Sequence, residues 1–389
     1  MRSRAPSTNC APSGRGFRRC WKTAASASGT CGTGRSSDAA PGGGAAVPRP
    51  GDGMKITKVE AIPLRIPDLD ATRADGIQDD VIVRIHTDAG LTGVGEADAS
   101  PEVVTALVDA PESWIRSRGL AGMLIGEDPL HTERLWDKMV HGTLWMGRGG
   151  VTIEAISAVD LALWDIKGKA LGLPVHTLLG GARRDSVPVY ASMLFERDLG
   201  LMRERARRHV GEGYQAVKFG WGPMGPDLAT DVALVRAARE AIGDAALLVD
   251  AGAPWTVREA IRRIEAFREY QPFWLEEALA SDDLAGWARL TAASGGIRIA
   301  TGEQETLASA FRDLLEIGRV DVIQPDLARA GGFTQCRRIA DLARANHALC
   351  VPHAWKSGIL VAATLHFAAT LPEIPFVEYS VAPSPLRRD

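Results

Sequence analysis

The stretch ALLVDAGAPWTVREAIRRIEAFREYQPFWLEEA, residues 246–278, holds one repeat of the fold. Short apolar runs stand at its two ends, and each closes on an acid: Asp250 after ALLV, Glu276 after PFWL. Between them, residues 257–269 carry a helical pattern. A buried strand, a helix and a second buried strand make the unit of a parallel sheet, because parallel neighbours need a crossover to return the chain.

The same rhythm extends in both directions. Upstream lie VPVYASM (187–193) and AVKFGWG (216–222). Downstream come IRIATGEQ (297–304), VDVIQPDL (320–327), ALCVPHAW (348–355) and FVEYS (376–380). Seven of the intervals hold helical patterns, including residues 227–242. Eight buried strands at intervals of roughly 23–30 residues are the sequence form of a closed (β/α)7β barrel, a modified TIM barrel, over residues 186–389. A doubly wound open sheet is the rival, but no Gly-rich dinucleotide loop follows the first strand.

Ahead of the barrel, residues 54–185 place strands first and helices second, the order of a separate α+β domain that would cap the barrel. Lys55–Ile66 and Val81–Thr87 read as strands, and TDAGLTGVGEA (87–97) as a hairpin turning on glycine. Residues 101–180 are mostly helical by period and end at Gly180-Gly181. Residues 1–53 are built from Ala, Gly, Ser, Pro and Arg with only two acids, Asp38 and Asp52. That composition predicts a disordered or mis-called extension, with Met54 as the natural start and an Arg-rich transit peptide as the alternative.

Composition narrows the function classes. A net charge of -3 and no basic stripe argue against nucleic acid as partner. No apolar run approaches the roughly 20 residues that span a bilayer. Only Cys336 and Cys350 belong to the body of the chain, in no Cys-x-x-Cys pair, so a reducing cytoplasm is expected.

Barrel enzymes assemble their sites at the C-terminal ends of the strands. In strand order those ends carry Lys218, Asp250, Glu276 with Glu277, Glu303, Asp326, His353 and Glu378. Any one acid there could cap the next helix, and a lone histidine is commonly structural. Together they converge. Asp250, Glu276 and Glu303 come from three adjacent strands, and three hard oxygen donors suit Mg²⁺. Unpaired carboxylates so close would otherwise repel.

AVDLALWDIKGKALGLPVHTLLGG (158–181), just before the barrel, resembles the signature of the mandelate racemase and muconate lactonizing enzyme group of the enolase superfamily. The resemblance runs from Met54 to the C-terminus. It implies that the acids of VDAG, LEEA and TGE (Asp250, Glu276 and Glu303) bind Mg²⁺, with Glu277 behind them. It also implies that Asp326 and His353 form the dyad of the mandelate racemase subgroup. Lys218 would lie by the substrate carboxylate, and Glu378 would hydrogen-bond its other oxygen. The chemistry implied is removal of a proton next to a carboxylate, with a metal stabilising the developing charge and an oriented imidazole as base.

Two departures shape the expected reaction. The family's Lys-x-Lys on the second barrel strand reads Lys218-Phe219-Gly220, so the base opposite His353 is missing. A racemase needs bases on both faces, whereas one histidine can take the α-proton and then protonate a departing β-hydroxyl. Dehydration of an acid sugar (an aldonate or aldarate) to a 2-keto-3-deoxy acid is the expected function. A sugar-acid lactone cycloisomerase or a racemase/epimerase is the alternative, and a catalytically impaired binding barrel a third. Secondly, the chain stops soon after Glu378, where relatives continue back to the cap. Lys356 is expected to be a solvated loop lysine. Specificity is expected from the polar loop 67–80, bearing Asp68, Asp70, Arg73, Asp75, Asp79 and Asp80, and from the GEADAS turn near Glu96. The expected partners are a small carboxylate substrate and further copies of the chain in a homo-oligomer.

Overall fold

The computed structural model describes residues 53–388 apart from 71 and 73–75. The expected extension, up to residue 52, lies outside the described residues, as do Arg73 and Asp75 of the polar loop. The chain first forms an antiparallel sheet of β1 (Ile56–Arg65), β2 (Asp79–Thr87) and β3 (Thr92–Ala97). In β2 the residues Val81, Val83 and Ile85 are fully buried while Ile82, Arg84 and His86 on the other face are more open, which is the two-residue period of a half-buried strand. The hairpin between β2 and β3 turns through Gly90 at φ 75°.

Helices α1 (Pro101–Asp109), α2 (Leu120–Leu124), α3 (Thr132–Gly142), α4 (Val151–Leu171) and α5 (Val175–Leu178) follow. Helix α4 contains most of the signature and is buried on nearly every side. Strand β3 lies directly on it. A Cβ on Gly95 would fall 2.0 Å from the Ala158 carbonyl oxygen, so only glycine allows that approach. The opposite face of α4 grips the rest of the molecule. Ser157 accepts from the Gly331 N–H at 2.8 Å, and Asp160 accepts from Thr334 N and Oγ1 at 3.0 and 2.6 Å. Trp164 donates its indole N–H to Thr334 Oγ1 at 3.1 Å.

The second sheet has eight strands, all parallel where they pair. They are β4 (Val189–Leu194), β5 (Ala216–Gly220), β6 (Ala246–Asp250), β7 (Trp274–Glu276), β8 (Arg298–Thr301), β9 (Val322–Ile323), β10 (Leu349–Cys350) and β11 (Val377–Ser380). Their order is β10-β9-β8-β7-β6-β5-β4-β11, the curl of a (β/α)7β barrel. The crossovers are α6 (Leu199–Gly211), α7 (Leu228–Ile242), α8 (Val257–Phe267), α9 (Leu284–Ala293), α10 (Leu307–Glu316), α11 (Gly332–Ala345) and α12 (Gly358–Ala368). A short α13 (Pro385–Arg388) ends the chain. Among the described residues no backbone ladder joins β10 to β11. There the Ala354 N–H donates to Glu378 Oε2 at 3.0 Å and carries the seam by a side chain.

Two apolar layers sandwich this sheet. Tyr190, Ala216, Leu248, Trp274, Ala300, Val322 and Val351 fill the barrel interior. Its N-terminal end is stopped by Phe273 against Phe376, with the Arg298 guanidinium 4.3 Å over the Phe273 ring. Cys336 and Cys350 are buried free thiols, and no described helix is long and apolar enough to cross a membrane.

Several helix N-termini are capped by residues other than the strand-end acids. Asp198 caps α6, Asp227 α7, Thr256 with Glu259 α8, Asp283 α9 and Ser357 α12. Because loop residues satisfy those N–H groups, Asp250 and Glu276 at the strand ends are left for other work.

Candidate active site

Strand register brings the polar residues to one mouth. Asp250 pairs in register with Glu276 and with Gly220, and Lys218 pairs with Leu248 of the barrel interior. Alternation then points Lys218, Asp250 and Glu276 inward from β5, β6 and β7. Glu303 follows β8. Asp250, Glu276 and Glu303 each offer an oxygen within 4.8 Å of the others, and all three are buried.

Burial and then the neighbouring Glu276 push the Asp250 carboxyl well above the usual range. Burial also raises Glu276, against the pull of Lys218. Lys218 Nζ lies 2.6 Å from Glu276 Oε1, 2.9 Å from Glu378 Oε1 and 3.7 Å from Asp250 Oδ2. Lys218, with Arg329 Nη1 3.6 Å from Glu303 Oε1, still leaves the four acids Asp250, Glu276, Glu303 and Glu378 short of positive charge. A hard divalent cation fits that deficit and that set of oxygen donors.

Across the mouth, His353 Nδ1 bonds Asp326 Oδ2 at 2.6 Å, and Asp326 Oδ1 is held by the Ala328 N–H at 2.6 Å. The other ring nitrogen, Nε2, faces the cavity, 3.3 Å from Glu303 Oε2 and 3.6 Å from Glu378 Oε2. Burial would lower the imidazole pKa, but Glu303, Glu378 and Asp326 outweigh it and hold it at about 10. Glu378 is pulled the other way. Burial would raise it, yet Lys218 and His353 bring it down to about 2.

Glu277 turns aside at φ 46°. It accepts from Thr301 Oγ1 at 2.6 Å, the Gly302 N–H at 2.9 Å and Gln304 Nε2 at 3.0 Å. Burial still raises its carboxyl to about 8. Of the LEEA pair, the first glutamate faces the other acids and the second braces the loop after β8.

Two expectations are corrected. Lys356 is not solvated: its side chain is 9% exposed, 3.4 Å from Asp98 Oδ1 and 3.5 Å from Asp79 Oδ1, with Nζ donating to the Gly76 carbonyl at 2.7 Å. Acids from the N-terminal sheet surround it and outweigh the loss of water. Nor is the GEADAS turn a free specificity loop at Glu96. That side chain is fully buried and accepts from the N–H groups of Ser357 at 2.9 Å and Leu360 at 3.0 Å, and from the Ser357 hydroxyl. It ties β3 to the start of α12.

Three contributors escaped sequence reading. Arg329 spans two acids: Nε donates to Asp98 Oδ2 at 3.0 Å and Nη1 to the Glu303 carbonyl at 3.0 Å. Asp98 thereby links the N-terminal sheet to the loop bearing Glu303. Trp221, next to Gly220, donates its indole N–H to Asp250 Oδ2 at 3.1 Å. The available signals were an arginine in the loop just past Asp326 and an aromatic residue at a strand end.

Residues 54–180 match the family model of the mandelate racemase / muconate lactonizing enzyme N-terminal domain, and residues 201–389 that of the enolase C-terminal domain-like family. The chain is 35% identical over 324 residues to the D-galactarolactone cycloisomerase of Agrobacterium fabrum, covering 79% of this chain and 82% of that protein. It is 34% identical over 304 residues to the L-rhamnonate dehydratase of Saccharopolyspora erythraea, covering 77% and 72%. Its structure resembles that of a racemase from Streptomyces coelicolor with bound magnesium, with a TM-score of 0.74, 33% identity and coverage of 85% and 93%.

Proposed function

Because the chain belongs to the mandelate racemase / muconate lactonizing enzyme family of the enolase superfamily, we propose that it dehydrates an acid sugar to a 2-keto-3-deoxy acid. The observation that carries this reading is the buried His353–Asp326 pair, at 2.6 Å, facing the cluster of Asp250, Glu276 and Glu303. Those three acids would hold Mg²⁺, which supplies Lewis-acid stabilisation of the charge that develops on a substrate carboxylate.

Every other task falls to side chains already in place. Lys218, buried among acids and held protonated, presents an ammonium to the carboxylate end of the substrate. Glu378 is anchored by the Ala354 N–H and faces both Lys218 and His353; it would hydrogen-bond the far carboxylate oxygen only as the protonated acid, since the ionised form accepts and does not donate. With part of the negative charge that keeps His353 protonated offset by a cation held by Glu303, Nε2 is left to take the α-proton, and Asp326 holds the ring and stabilises its positive charge. The same imidazolium then returns the proton to the β-hydroxyl as it departs, so one residue serves both halves of the elimination.

Gly220 offers no base on the opposite face, which favours elimination over racemisation. Lactone cycloisomerisation is the second reading. It too needs a single α-proton transfer, and the cycloisomerase similarity favours it. Incubation with a panel of aldonates and aldarates, assayed for 2-keto acid with and without Mg²⁺, tests the proposal. Metal-dependent 2-keto acid from the open-chain acids supports dehydration, and 2-keto acid formed only from their lactones, by departure of the ring carboxylate oxygen, supports cycloisomerisation. Turnover that persists in chelator would sink both.

A further inference from the structure

Trp221 occupies an unusual place. It follows Gly220 at the C-terminal end of β5, and along the curled sheet β5 lies across the mouth from β10, which leads into His353. Its backbone adopts φ 53°, a left-handed conformation that bulky residues rarely tolerate. Two contacts hold it there. Its N–H donates to the Asp250 carbonyl at 3.1 Å, and its indole N–H donates to Asp250 Oδ2 at 3.1 Å. The ring packs over Gly252, where an added Cβ would come within 3.2 Å of it.

The rest of the indole is open. Trp221 is 41% exposed, whereas Trp274 in β7 and Trp287 in α9 are fully buried. A strained backbone that holds an apolar ring partly in water points to a contact surface, since neither strain nor exposure helps folding. The Gly220 position explains the room. A Cβ there would sit 3.0 Å from Asp250 Oδ2, the atom that receives the indole N–H. A long side chain at 220 would therefore compete with Trp221 for the same carboxylate oxygen.

We propose that Trp221 is the substrate-contact residue on the wall that lacks a second base. Its N–H orients Asp250, and its open face packs against the C–H face of an acid sugar. The inference rests on the acid-sugar reading given above. An aromatic face is electron-rich and a sugar's C–H groups present positive edges, so the two are complementary. The hydroxyls on the opposite side of the carbon chain stay free for polar partners.

The test uses the full chain with Trp221→Phe and Trp221→Ala, and it has two readouts. Calorimetric titration with Mg²⁺ alone reads the Asp250 contact. Both variants should bind about tenfold to hundredfold more weakly, the scale of one lost hydrogen bond to a charged group. Titration with L-rhamnonate and D-galactonate in Mg²⁺ reads the platform. Trp221→Phe, which keeps a ring, should stay within about threefold of wild type, while Trp221→Ala should lose about tenfold or more. Acid-sugar affinity unchanged in Trp221→Ala would overturn the platform while leaving the acid-sugar reading intact. If the wild type binds no member of the aldonate and aldarate panel, that reading falls and the platform with it. Unchanged Mg²⁺ affinity in both variants would overturn the Asp250 contact independently of any substrate.

Discussion

Two sets of buried acids lie in this molecule, and they are built in opposite ways. At the join between the N-terminal sheet and the barrel, Asp160 and Glu96 receive hydrogen bonds from N–H and O–H donors at the starts of α11 and α12. At the barrel mouth, Asp250, Glu276 and Glu303 face one another and share Lys218 and Arg329 as nearby cations. Burial raises the pKa in both regions, to about 7 for Asp160 and about 8 for Glu96. Burial and a raised pKa therefore do not distinguish a working site from a structural join. The company does. Asp160 and Glu96 are fastened by N–H and O–H donors; Asp250 and Glu276 accept hydrogen bonds as well, but with Glu303 they bring three carboxylates within 4.8 Å of one another, a crowding that a cation would relieve.

The largest test of this contrast is removal of charge at the mouth. Asp250→Ala or Glu303→Ala should abolish Mg²⁺ binding in a calorimetric titration and turnover with it, while the thermal midpoint stays level or rises because repulsion is relieved. A marked drop in the midpoint would class these acids as fasteners. Next in size is His353→Asn, which should slow turnover by roughly 10²–10⁴, the usual scale of general acid–base catalysis. In D₂O the wild type should exchange or eliminate from one α-configuration only. Deuterium entering both epimers at comparable rates would require a second base on the face left bare by Gly220.

At the join the effect should move from rate to stability. Asp160→Ala strips the acceptor from Thr334 N and Oγ1 and should cost on the order of 1–3 kcal/mol in denaturant unfolding. Mg²⁺ affinity of the folded fraction should be unchanged. The smallest effect concerns pH. Glu96 has an ordinary value of 4.5 and is held at about 8 by burial, so the folded state keeps a proton that the unfolded state releases. Its stabilising contribution is present at low pH and lost as pH rises through that window. Glu96→Gln should flatten the fall in thermal midpoint between those two values, and a slope equal to wild type would count against it.

Much of the architecture is legible in the chain because strand and helix periods are local. The runs around Asp250 and Glu276 carry their own spacing, and the strand at 376–380 is bounded as clearly as the first. The strand-end acids are visible for the same reason. Parallel strands must deliver their C-terminal ends to one mouth, whatever the packing between them. Periodicity also indicates that 158–171 is helical, but not why Ser157, Asp160 and Trp164 stand where they do. Their partners at Gly331 and Thr334 lie far along the chain.

What only the tertiary structure decided is the direction of side chains and the company they keep. Glu276 and Glu277 are adjacent and chemically identical, yet a positive φ turns the second toward Thr301. Lys356 looks like a loop lysine until Asp79 and Asp98 of another sheet close around it. Arg329 joins Asp98 to the loop of Glu303, and no local pattern links those three positions. Backbone period is set by the bonds of each residue to its neighbours and is written in a short window. Convergence depends on how separate elements pack, so it exists only once the chain has folded.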